Sequence, residues 1–75
     1  MNYRVLTQTK KLVSVDCIVP QQDGLIVGYF SGMAGVQEPM GQYPTHKAAI
    51  DVIHCMTIHF RADPQGIYTM PDAGH

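Results

Sequence analysis

Residues 45–61 place the strongest constraint on what this chain can fold into. Ala49, Val52, Ile53, Met56 and Phe60 recur at the i, i+3, i+4, i+7 spacing of one helical face laid on a second layer. Thr45 stands where a hydroxyl can accept from the free N–H groups of a first turn, and Pro44 stiffens the approach to it. At the other end, Pro64 has no N–H to continue the ladder and disfavours helical backbone at Asp63. The spacing predicts a capped helix over residues 45–61 whose apolar stripe is core.

The segments before the helix read as strands. Residues 11–20 alternate, with Val13, Val15, Cys17 and Val19 on one side and Leu12, Ser14, Asp16 and Ile18 on the other. The valine side is the expected core face, with Cys17 a core thiol. Asp23-Gly24 favours a hairpin turn with positive φ at both residues, leading into residues 25–30, a run apolar on both faces and interrupted by Gly28. That run is expected to be the central strand. Residues 2–8 alternate weakly and either add a strand or lengthen the next one. Residues 31–41 are expected to hold a loop followed by a short strand over 36–43, with Gly28, Gly32, Gly35 and Gly41 serving turns and bulges. Residues 66–70 read as a short last strand. The expected fold is α+β: an antiparallel sheet of three to four strands with one helix packed on it, in the order ββ(β)αβ.

Seventy-five residues allow one core and therefore one domain, residues 1–75, with 71–75 expected as a flexible tail. A charged fraction of 15% beside 45% hydrophobic residues argues against disorder. So little charge, with five methionines, also points to a surface that is covered by a protein partner or by self-association. The net charge of −1 offers little to phosphates, and the one basic run is Lys10-Lys11, so nucleic-acid binding is not expected. Two cysteines are too few for a secreted disulfide scaffold, and no segment approaches the length needed to span a bilayer. A cytoplasmic setting with reduced thiols is the expectation.

Asp51, Cys55 and His59 share one flank of the helix, with His54 beside them, a spacing that can ligate a metal or activate a thiol. Structural zinc needs four ligands and no Cys-x-x-Cys is present, so neither a metal nor another cofactor is expected. The acidic residues are scattered, His46 and His75 are expected to be solvated, and no glycine pattern forms a phosphate loop. An enzyme is not expected. Ile50 and Ile58 fall outside the core stripe, among Lys47, Asp51, His54 and Arg61. Ile50, His54 and Ile58 are the candidate partner-binding residues.

The segment order carries a resemblance. A strand, Asp23-Gly24, a strand ending in Phe30, then Met33-Ala34-Gly35-Val36, Gly41, Thr45 with Ala48-Ala49, a helix, and a last strand near Met70-Pro71 together resemble the HicB antitoxin N-terminal domain. Phe30, Met33 and Gly35 match at the family's spacing. Gly41 and Thr45 stand four apart where the family has two, and Ser31 takes the place of its first proline. The resemblance implies a partly RNase-H-like, non-catalytic domain that covers a small RNA-cleaving toxin and often oligomerises. Two alternatives stand beside it. Gly41-x-Tyr43-x-Thr45-x-x-Ala48-Ala49 also resembles the strand-to-helix junction of AP2-type DNA-binding domains, and the chain can equally be a structural homo-oligomer.

Overall fold

The computed structural model describes residues 2–30 and 36–72. Its elements are β1 (Tyr3–Leu6), β2 (Leu12–Val15), β3 (Cys17–Pro20), β4 (Leu25–Tyr29), β5 (Gln37–Gln42), α1 (His46–Ala62) and β6 (Ile67–Thr69), an α+β fold. The strands divide into two three-stranded sheets, β2-β1-β6 and β3-β4-β5. All strand pairs are antiparallel except β1 and β6, which run parallel in the register Val5 opposite Tyr68. The parallel pair joins the two ends of the described chain around everything between them.

The helix forms as its sequence dictates. Thr45 is the N-cap, extended at φ −141°, and its hydroxyl accepts from the Ala48 N–H at 3.0 Å. Such a cap contributes about 1 kcal/mol. Asp63 closes the other end, donating its N–H to the His59 carbonyl at 2.8 Å, with Pro64 beyond it. Ala49, Val52, Met56 and Phe60 are buried, and Ile53 is half-buried against the same core. They meet Val5, Val13, Val15, Ile26, Met40 and Met70 from the sheets. Each large aliphatic side chain so buried contributes about 1.5–3 kcal/mol relative to exposure.

The expected continuous strand over residues 11–20 is broken at Asp16. The Asp16 N–H donates to the Tyr29 carbonyl at 2.9 Å while Cys17 is the register partner of Tyr29, so two residues face one. This is the geometry of a bulge, and an extra residue reverses which side chains point inward. Val13 and Val15 are buried before the bulge, Ile18 packs on the core after it, and Cys17 is exposed. The expectation of Cys17 in the core is therefore corrected: perfect alternation in sequence does not reveal where a strand slips by one.

The Asp23-Gly24 turn is present, though not with positive φ at both residues. Gly24 alone is left-handed, at φ 89°, while Gln21 and Leu25 close the loop at 2.8 Å and Asp23 Oδ1 accepts the Leu25 N–H at 3.0 Å. Gly28 is also corrected: it lies inside β4, where an added Cβ would come within 2.7 Å of Met40 Sδ and Val15 Cγ1. It marks a close approach of layers, not a turn. In the β4–β5 pair the register shifts between Ile26 and Val27, opposite Gly41 and Pro39. Gly32, Gly35 and the matched Met33, together with Ser31, Ala34 and His75, lie outside the described residues.

The hairpin joining β1 to β2 had no glycine to announce it. Lys10 takes φ 67°, and the buried Thr7 holds the turn: its hydroxyl accepts the Lys11 N–H at 3.1 Å. The expected tail is anchored at its start, because the Pro71 carbonyl accepts from Tyr43 Oη at 2.7 Å and from Gln8 Nε2 at 2.9 Å.

Candidate functional site

The outer face of α1 is built by the same periodicity that builds the core. With Ala49, Val52, Met56 and Phe60 turned inward, positions 50, 54 and 58 are carried to the opposite side. Ile50, His54 and Ile58 are all exposed there, Ile58 at 66% of its full accessibility. Lys47 and Asp51 border them as an i, i+4 pair at 3.6 Å. Exposed isoleucines two turns apart, with His54 between them, give this face an apolar ridge between polar neighbours.

The Asp51, Cys55 and His59 flank does not converge. Asp51 is engaged with Lys47, and Cys55 is an exposed free thiol. The His59 ring turns toward the helix end, edge-on to Phe60 at 5.0 Å and to Tyr68 at 5.3 Å. His59 Nε2 is buried without a hydrogen-bond partner among the described residues, 3.3 Å from where a Cβ on Gly66 would sit. Burial raises the Tyr68 hydroxyl above its ordinary pKa, helped by nearby Cys55. No group of three or more His, Cys, Asp or Glu able to hold a metal ion occurs among the described residues.

His46 is corrected from its expected solvated position. It is half-buried, with Nδ1 2.8 Å from the Gln21 carbonyl oxygen, and so links the start of α1 to the β3–β4 turn. Tyr43 lies just before the helix, 5% exposed. Burial, with smaller effects from Tyr68 and Asp72 partly offset by Gln8, pushes its hydroxyl from 10.0 up to about 12.

A groove of about 560 Å³ opens where β1, β3 and the C-terminal half of α1 diverge. Tyr3, Ile18, Ile53, Met56 and Phe60 form its apolar lining, and Tyr3 and Phe60 tilt against each other at 5.1 Å. Asp16, Cys17 and Arg61 supply its polar positions. The sequence did not disclose this groove, because it depends on the bulge at Asp16, which turns Cys17 outward. The doublet Asp16-Cys17 between two valine-rich segments was the available signal.

No protein-family model, curated protein or solved structure matches this chain. Among the described residues, no helix is long and apolar enough to cross a membrane.

Proposed function

We propose that the chain is a small protein-binding module of the antitoxin or inhibitor type, with no catalysis of its own, which covers a surface of a partner protein in the cytoplasm. The observation that carries this reading is the outward face of α1, where Ile50, His54 and Ile58 are exposed at four-residue intervals. Burying an isoleucine against a partner contributes about 1.5–3 kcal/mol, so two on one ridge make an anchor of useful size. The helix is held rigidly from below by its cap and its buried stripe, which limits the ordering cost of binding.

The AP2-like reading needs free basic groups on the strands. Lys11 Nζ instead lies 3.0 Å from Glu38 Oε1, leaving Arg4 and Lys10 near the sheets. This favours the protein-binding reading over the nucleic-acid one.

The test is recovery of the tagged chain from its native host, as wild type and as Ile58→Asp. The wild type is expected to bring down a small basic protein in fixed stoichiometry, and the variant to lose it while keeping its unfolding midpoint. Recovery of the wild-type chain with no second protein species would overturn the reading.

A further inference from the structure

The groove between β1, β3 and α1 adjoins the outward helix face at Thr57 and Arg61, though Ile50, His54 and Ile58 do not line it. Cys17 and Ile18 are adjacent on β3, so their side chains leave the strand on opposite sides, yet both line this groove. A single groove meets both faces of a strand where it wraps around the strand's edge. Among the described residues β3 is an edge strand, with β4 as its one strand neighbour, and Pro20 closes its far end. The edge strand is thus short, Cys17–Pro20, and its first two residues, Cys17 and Ile18, border an apolar trough.

Two opposite charges stand on this groove. Asp16 and Arg61 both line it, yet neither forms an ion pair with the other or with any other side chain among the described residues. An arrangement with one acid and one base on the same patch is self-complementary under a two-fold axis, which brings each charge against its opposite on the second molecule. A net charge of −1 presents little overall repulsion between copies.

From this complementarity we propose that the occupant of the groove is a second copy of this chain. In the two-fold contact the β3 edges approach each other, and Asp16 of each copy lies against the partner's Arg61. The half-buried Tyr3, Ile18 and Ile53 supply the apolar centre, and the charges set orientation at its rim. The contact borders the α1 ridge, since Arg61 stands one turn from Ile58, but Ile50, His54 and Ile58 are not among the residues that line the groove.

Sedimentation equilibrium of the whole chain tests the proposal with Asp16→Lys, Arg61→Glu and an equimolar mixture of the two. The wild type is expected to dimerise, and each single variant to raise the dimer dissociation constant by about ten-fold or more, through like charges brought together. In the mixture, one variant carries two bases in its groove and the other two acids, so a heterodimer is expected to form. Circular dichroism checks that both variants are folded. If Asp16→Lys fails to fold, Arg61→Glu alone still carries the test, since Arg61 is exposed. A bis-maleimide reagent is expected to cross-link the wild-type dimer through Cys17 in a Cys55→Ser background. A wild type that is monomeric at millimolar concentration would overturn the proposal. So would a dimer insensitive to both charge reversals, or one that dissociates on Ile58→Asp instead. Loss of the foreign partner with Ile58→Asp while the homodimer persists separates the failure of one contact from that of the other.

Discussion

Gln8 and Gln42 join the two sheets through a side chain. The Gln8 Oε1 accepts the Gln42 N–H at 2.8 Å, and the same amide donates from Nε2 to the Pro71 carbonyl at 2.9 Å. The Gln8 backbone N–H adds a bond to the Met40 carbonyl at 3.0 Å. One residue thus ties the end of β1 to β5 and to the segment after β6. Gln8→Ala removes these side-chain bonds, with a longer one from Nε2 to the Gln42 carbonyl at 3.5 Å, and leaves the backbone bond in place. The expected loss is about 1–3 kcal/mol of unfolding free energy, read from urea denaturation at unchanged m-value.

Lys10 holds φ 67° in an exposed turn, a conformation that costs a non-glycine residue about 1–2 kcal/mol. Its N–H donates to the Thr7 carbonyl at 2.9 Å, and any residue with an N–H keeps that bond. Lys10→Gly is expected to raise stability by a few tenths to about 1 kcal/mol, the relief of strain being partly offset by the freer unfolded chain. A thermal melt showing a lower midpoint for Lys10→Gly would contradict the turn geometry.

Tyr43 connects pH to stability. Its hydroxyl is raised from 10.0 to about 12 in the folded chain, chiefly by burial. The unfolded chain therefore ionises first as pH rises, and the native state binds the extra proton. Stability from this group is fully present below pH 10 and is lost between 10 and about 12. Tyr43→Phe is expected to flatten that part of the curve. At neutral pH it costs about 1 kcal/mol for the lost bond to the Pro71 carbonyl. Unfolding free energies from pH 8 to 12 for both proteins make the comparison.

Gly28 is pressed between Met40 and Val15. Gly28→Ala places a methyl 2.7 Å from Met40 Sδ and from Val15 Cγ1, an overpacking expected to cost about 1–3 kcal/mol. Val15→Ala removes Cγ1, so the cost of Gly28→Ala is expected to fall in that background. A double-mutant cycle measures the coupling, which additive costs would disprove.

The helix, its Thr45 cap, its Asp63 stop and its buried stripe were legible in the residue order, because each depends on neighbours within a turn or two of chain. The exposure of Ile50, His54 and Ile58 followed from the same period, since fixing the inward stripe fixes the outward one. The strand runs were legible as runs, and the α+β class with them. Their division into two sheets was not, nor was the parallel pairing of β1 with β6. Local alternation specifies which face of a strand is apolar, but carries no record of which strand lies alongside. Cys17 marks the limit most clearly. Its place in the alternation assigns it to the core, whereas the bulge at Asp16, stabilised by a bond to Tyr29 on another strand, turns it outward and opens the groove beside Arg61. Residue order alone determined the helix and its two faces. Tertiary packing decided the sheet partition, the glycine-lined contact at Gly28 and the groove, because each arises from a contact between segments distant in the chain.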